Sequence, residues 1–325
     1  MIISKTPLRM SFAGGGSDFK GYYQKGSGAV VSTAIDKHVY VTINKKFDDF
    51  IRVNYSKTEI VDDVEKIEHN LIREAMKLTG IIKGIDISYM SDMLPNSEGT
   101  GLGASSSLTV GILNALYAFK GEQVTPARLA QEAAHIEIDI LGYPMGKQDH
   151  YPAAFGGLNF TKFNADETVD VAPIVFSPET QEQLSNNLLL FYTGQTSLSS
   201  TILPEQNKNI ENNRTFLDSM VALAERLYDS LGKNDFKEFG NILHKGWILK
   251  QQLTNSITNK TINNYYKKAR AAGAMGGKIL GSGGGGFLLF YCNPEHQNNV
   301  RQALSNLKET SFTFETEGSK IVYVD

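Results

Sequence analysis

The chain has 325 residues, of which 41% are hydrophobic and 21% charged, with a formal charge of −3 and one cysteine. That balance excludes a disordered or fibrous protein, and the length fits two compact domains packed together. The 32 basic and 35 acidic residues are spread along the chain, and no block of Lys or Arg is dense enough to track a nucleic-acid backbone.

The lone Cys292, in the string FLLFYC, excludes an internal disulfide framework and reads as an inert thiol in a buried strand. No apolar run approaches the roughly 20 residues that span a bilayer. The opening MIISKTPLRM lacks an apolar core of signal-peptide length. The expectation is a cytoplasmic protein with neither a membrane nor a nucleic-acid partner.

In chain order, residues 37–43 alternate at Val39, Val41 and Ile43, as a half-buried strand does. Residues 66–79 place Ile67, Leu71, Ala75 and Leu78 on one helical stripe closed by Gly80. A second alternating strand is predicted over 84–90. The loop PNSEGTGLGASSS then leads into a helix with Leu108, Ile112, Ala115 and Phe119 facing inward. Thr125 and Pro126 read as N-cap and first-turn proline of a helix carrying Leu129, Ala133, Ile136 and Ile140. Residues 157–163 and 169–175 predict a hairpin. A polar boundary at 176–186 separates a first domain, 1–180, from a second, 181–325. The second opens with a strand over 187–192 and continues with helices near 204–231, 235–254 and 259–272, capped by Gly273. Strands at 277–280 and 286–291, a short helix, and strands near 311–316 and 319–324 finish the chain.

Four strings carry chemistry. Residues 99–107, GTGLGASSS, run straight into a helix. Glycines let the backbone approach a ligand, and a helix start offers free N–H groups and the positive end of the dipole, which together make an anion site. No Gly-Lys-Ser/Thr follows, so this is not a Walker A loop. Read alone, the string is equally a flexible linker with a serine cap. In PLRMSFAGGGSD, residues 7–18, Arg9 in an apolar strand calls for a carboxylate or phosphate partner, whereas Asp18 alone reads as a cap. In residues 132–150, Glu137 on a helix and Asp149 in a following turn, with Lys147 two residues earlier, could serve a metal and a base, although read alone they are a solvated Glu and a turn Asp. In GGKILGSGGGGF, four consecutive glycines between two strands allow closer backbone approach than a tight turn needs.

In this order, these strings resemble those of the GHMP small-molecule kinases across nearly the whole chain. The resemblance implies an α+β two-domain fold, with an N-terminal domain like ribosomal protein S5 and a ferredoxin-like C-terminal domain. It implies ATP over Gly99, Gly101, Leu102, Gly103, Ala104, Ser105, Ser106 and Ser107, and magnesium at Ser105 and Glu137. By position, Asp149 resembles the catalytic aspartate, with Arg9 supporting it and Lys147 nearby. Arg9, Gly15, Gly16, Ser17, Asp18, Gly283 and Gly284 would meet the acceptor in a cleft between the halves.

Within the family, LRMSFAGGGSD and GKQDHYPAAFGG are similar to the D-glycero-D-manno-heptose 7-phosphate kinases, which phosphorylate an anomeric oxygen. Glycines at 14–16 would leave room for a phosphate-bearing sugar tail, with Lys147 or Arg9 as counter-charge. Ala104 stands where a serine is usual, His150 where glutamine is common, and TGQTSLSS lacks an expected arginine. The implied partners are ATP and a sugar phosphate, with a homodimer left open. Galactose or fucose as acceptor, an ATP-dependent decarboxylase and a non-catalytic ATP sensor are the alternatives.

Overall fold

The computed structural model describes residues 1–93, 99–197 and 199–325. Residues 95–98 of the loop string lie outside them. The first half contains β1 (Ile2–Ala13), α1 (Lys20–Tyr23), β2 (Ser27–Lys45), β3 (Ile51–Asn54), β4 (Thr58–Val61), α2 (Asn70–Thr79) and β5 (Ile85–Ser91). These are followed by α3 (Ala104–Phe119), α4 (Pro126–Ala134), α5 (His150–Phe155), β6 (Leu158–Asn164) and β7 (Val169–Pro173). The second half contains α6 (Pro178–Asn186), β8 (Leu188–Tyr192), α7 (Ser199–Lys208), α8 (Arg214–Gly232), α9 (Phe239–Lys250) and α10 (Lys260–Ala271). The last elements are β9 (Gly276–Ile279), β10 (Phe287–Tyr291), α11 (Pro294–Ala303), β11 (Lys308–Glu309) and β12 (Lys320–Val324).

Two sheets organise these elements. The larger runs β12-β1-β2-β5-β3-β4, with β6 added to the start of β2 and β7 to β6. β2 is rich in β-branched residues and long enough to pair with β1 along its length, with β6 at one end and β5 at the other. The smaller sheet, β11-β8-β10-β9, is antiparallel throughout. Its central strand, FLLFY, is buried at every position, which is why it reads as an unbroken apolar run. β12 belongs to the larger sheet, where Ile2 faces Val324 and Lys5 faces Lys320.

Strand alternation positions the site. On β1, Leu8, Met10 and Phe12 are buried in the apolar core, so Arg9 and Ser11 project to the opposite face. α3 buries Val110, Leu113 and Leu116 in that same core cluster. The second cluster centres on Trp247, Tyr266, Leu288 and Phe290.

Several sequence expectations shift. The helix expected over 66–79 begins at Asn70, and Leu78 is exposed while Ile72 and Met76 are buried. The span 204–231 is two helices, because the chain turns between Lys208 and Arg214. The strand expected over 311–316 is reduced to one bridge, Ile35 to Phe314. His38 is buried between Asp92 and Glu315. The polar stretch 176–186 is mostly helix α6, capped by Ser177.

The turn after β1 has little tolerance for change. Gly14 has φ +88°, and a Cβ there would lie 1.8 Å from the Ala29 carbonyl oxygen. Gly14→Ala is expected to destabilise the chain by about 3 kcal/mol or more, combining left-handed strain with a backbone clash. The shift in the urea unfolding midpoint measures it, and a change below about 1 kcal/mol would contradict the clash.

Candidate active site

A cavity of about 390 Å³ lies where the two halves meet, between the turn after β1, the start of α3, the 143–149 turn and the glycine loop after β9. Its central feature is a bidentate ion pair. Arg9 donates from Nε to Asp149 Oδ1 at 2.7 Å and from Nη2 to Oδ2 at 2.5 Å, while Nη1 donates to the Gly101 carbonyl at 2.6 Å. All three fork directions of the guanidinium are fixed, so Asp149 is held in one orientation. Asp149 retains 15% side-chain exposure towards the cavity, against 5% for Arg9.

The loop before α3 rests on this pair. Arg9 N donates to the Leu102 carbonyl at 3.0 Å, and Gly103 lies against the Arg9 side chain. α3 starts at Ala104 with no side-chain cap, so its first-turn amides lack intrahelical acceptors and open on the cavity beside Ser105. An uncapped helix start of this kind is suited to an anion.

The two glycine loops interlock. A Cβ at Gly101 would lie 2.5 Å from the Leu280 carbonyl oxygen, and one at Gly281 would lie 2.4 Å from the Gly101 Cα. Close backbone packing explains the density of glycine after β9.

The turn after β1 is built on Asp18. Its carboxylate is buried and accepts from Gly16 N at 2.9 Å, Gln148 N at 3.1 Å and Gln148 Nε2 at 2.8 Å. Burial pushes its pKa up, with the Asp149 charge adding to the rise and the Gly16 amide opposing it. Asp18 therefore positions Gln148 and the Gly15–Gly16 turn. Gln148 Oε1 and Ser11 Oγ are buried with no hydrogen-bond partner among the described residues, and both residues line the cavity. Orphaned polar atoms in a cavity call for a polar occupant.

Two lysines complete the wall. Lys250, on α9, and Lys278, on β9, are 7% and 5% exposed. Lys250 donates to the Gly281 carbonyl, and Lys278 donates to the Ser11 carbonyl at 2.8 Å. Burial brings the Lys250 pKa down to about 8, with nearby Arg9 contributing. Lys278 is also lowered well below the usual value, by burial and then by Lys250 and Arg9.

Comparison with known proteins decides the family. The family models "GHMP kinases N terminal domain" and "GHMP kinases C terminal" match residues 64–157 and 222–309. The chain is 30% identical over 336 residues to the D-glycero-alpha-D-manno-heptose 7-phosphate kinase of Campylobacter jejuni, covering 98% of each. It belongs to the GHMP kinases.

It is accordingly a phosphotransferase with an alcohol group as acceptor. A crystal structure of a D-glycero-D-manno-heptose 1-phosphate kinase from Bacteroides thetaiotaomicron matches it with a TM-score of 0.83 at 26% identity, over 100% of both chains. The phosphomevalonate kinase of Streptococcus pneumoniae, TM-score 0.80 at 16% identity over 97% of this chain and 100% of that one, shares the fold. No described helix is long and apolar enough to cross a membrane.

In this GHMP kinase, the residues singled out in the sequence separate into two groups. Arg9, Gly15, Gly16, Gly99, Gly101, Gly103, Ala104, Ser105 and Asp149 line the cavity. The others are placed elsewhere. Leu102 is fully buried. Ser17 Oγ bonds the carbonyls of Gly14 and Ala29, locking the turn from behind. Ser107 Oγ donates to the Pro7 carbonyl. Gly283 and Gly284 pack on Ile257 and Ile202, because the second half of the glycine run folds back against α7 and the 255–257 turn. Lys147 points into a separate outer groove, 4.2 Å over the Tyr23 ring and 3.3 Å from Glu167 Oε2.

Glu137 is wholly buried, and its serine partner is Ser106 rather than Ser105. Ser106 Oγ donates to Glu137 Oε2 at 2.8 Å, and His150 Nε2 lies 2.5 Å from that same oxygen. Successive helical residues project about 100° apart, so Ser105 faces the cavity while Ser106 faces inward. The chain around Glu137, His135–Ile140, is a π-helical turn. Its extra residue per turn rotates the buried face, which leaves Ile136 and Glu137 inside and Ile140 exposed.

Magnesium takes hard oxygen donors, and Glu137 Oε1 is a buried acceptor without a partner among the described residues. The geometry nevertheless does not fit a site shared with Ser105. Glu137 is closed off by Ser106 and His150 with no exposure, whereas Ser105 opens on the cavity. Among the described residues, no three His, Cys, Asp or Glu converge on a metal-sized space.

Nothing in the amino-acid pattern singles out Lys250, since a lysine near the end of an amphipathic helix reads as a surface residue. Lys278 carried the same signal as Arg9, a cation in an apolar strand beside glycines.

Proposed function

We propose that this chain transfers the terminal phosphoryl group of ATP to the anomeric hydroxyl of a sugar phosphate, D-glycero-D-manno-heptose 7-phosphate, giving the 1,7-bisphosphate. The observation that carries the reading is the Arg9–Asp149 pair, which leaves a fixed carboxylate open to a cavity beside the uncapped start of α3. The first-turn amides of α3 neutralise phosphate oxygens, and Asp149 accepts the acceptor's proton and aligns its oxygen. Arg9 keeps Asp149 aimed through its two hydrogen bonds. The Gly15–Gly16 turn, Ser11 and Gln148 hold the sugar hydroxyls. Magnesium would supply charge neutralisation at the triphosphate, held by phosphate and water oxygens beside Ser105, so EDTA is expected to abolish turnover without lowering the Tm of the free protein.

The choice of acceptor follows the Campylobacter jejuni relative and the Bacteroides thetaiotaomicron structure, both of which carry heptose phosphates in their names. An ADP-release assay with heptose 7-phosphate, unphosphorylated heptose, galactose and fucose tests it. Heptose 7-phosphate should have the highest kcat/KM, and a preference for galactose or fucose would overturn the assignment.

A further inference from the structure

Ionised side chains are rarely buried without a counter-ion, because losing the water shell costs several kcal/mol per charge. Arg9 is paired with Asp149, and Lys147 with Glu167. Lys250 and Lys278 are as deeply buried, yet among the described residues each has only a backbone carbonyl as acceptor and forms no ion pair. Lys250 has Arg9, Asp18 and Asp149 as its neighbouring charges, and Lys278 has Lys250, Arg9 and Asp149. Both carboxylates are already engaged, Asp149 by Arg9 and Asp18 by Gly16 and Gln148. Counted as ions, the three cations Arg9, Lys250 and Lys278 outnumber the two carboxylates beside the cavity that α3 enters with its own positive end. The unpartnered Ser11 hydroxyl lies in that wall, and the Ser11 carbonyl accepts from Lys278.

We propose that Lys250 and Lys278 form a phosphate seat, in which the two ammonium groups take the oxygens of one tetrahedral phosphoryl group. Two compounds carry that chemistry into the cavity: the nucleotide, through its terminal phosphoryl group, and the acceptor, through its own phosphate. Lys250 reaches from the side of the interlocked glycine loops, and Lys278 from the side of Ser11 and Gly15, so the seat lies between the two. The acceptor case rests on the sugar-phosphate reading above. The nucleotide case does not.

Calorimetric titration of the full chain and of Lys250→Met and Lys278→Met with AMP-PNP, ADP, heptose 7-phosphate and heptose separates these cases. Each substitution is expected to weaken binding of one phosphate-bearing ligand at least tenfold. A loss for AMP-PNP with ADP unchanged assigns the seat to the terminal phosphoryl. A loss for heptose 7-phosphate with heptose unchanged assigns it to the acceptor. Unchanged binding of all four ligands by the folded variants would overturn the seat. The Tm of the free protein should stay level or rise on substitution, since a methionine is buried more cheaply than an unpaired ammonium. A lower Tm with intact binding marks the lysines as structural and also overturns it.

Acylation of the unmodified protein, mapped by mass spectrometry, provides a test that does not require the variants to fold. Labelling of Lys250 and Lys278 should slow with AMP-PNP or heptose 7-phosphate and not with ADP or heptose. Equal labelling in every case would refute the seat. If the wild-type enzyme turned over only unphosphorylated sugars, the acceptor reading would fail, and the AMP-PNP and ADP titrations would still decide on the lysines.

Discussion

Asp149→Asn is expected to lower kcat by about 10²–10⁴-fold, the range supplied by one positioned acid or base. Asparagine keeps the planar shape and one oxygen towards Arg9, but loses both the charge and the second acceptor. Arg9 is 4% exposed and donates to both Asp149 oxygens, so the substitution also leaves a buried guanidinium partly uncompensated. Two readouts separate these effects. Steady-state kinetics should show the loss in kcat, with the KM for ATP changed only slightly, because the α3 amides do not depend on the Asp149 charge. Thermal unfolding should report a smaller change, relieved when ligand binds. A variant with wild-type kcat would remove Asp149 from the chemistry.

Glu137→Ala is expected to cost about 3–5 kcal/mol of stability, the penalty for breaking a buried ion pair by removing one partner. Glu137 and His150 have no exposed side-chain surface, and their contact is 2.5 Å. Burial by itself pushes the His150 pKa down, but the hydrogen bond and charge of Glu137, aided by Asp149, raise it above 6.5. A raised histidine contributes fully below its unfolded value and loses that contribution as pH climbs through its folded value. The gap in unfolding free energy between wild type and Glu137→Gln should therefore be largest below pH 6.5 and narrow as the pH rises through the raised, folded-state pKa of His150. Urea unfolding at several pH values measures it, and a gap that widened with pH would have the wrong sign. Combining Glu137→Gln with His150→Gln should recover part of the loss, since both charges leave the core together.

Much of this arrangement could be read from the amino acids. Arg9 was identifiable because a guanidinium in an apolar strand needs an anionic partner, and period-two alternation puts it on the face opposite Leu8 and Met10. The loop before α3 stood out because glycines running into a helix can form an anion site, although the string by itself read equally as a linker. Other features depend on the tertiary structure. Helical period alone does not tell Ser105 from Ser106, and a π-turn changes the period around Glu137. Lys147 lies two residues from Asp149 in sequence, yet the turn sends it to the Glu167 groove, while Lys250 arrives from a helix about a hundred residues further on. Counting glycines identified a close approach, but not that Gly281 would meet Gly101 while Gly283 and Gly284 turned towards Ile257 and Ile202.

The contact between Gly101 and Gly281 has a consequence for how the enzyme can be divided or varied. The proposed nucleotide cradle is formed by one half of the chain and held in shape by the backbone of the other, with no side chain between Gly101 and Gly281 to absorb a shift. A fragment ending before α6 would carry the whole GTGLGASSS string and still lack the surface that moulds it. Separately expressed halves should thus bind nucleotide only after they reassociate, and an alteration at either glycine should reach the phosphates as directly as one in the string itself.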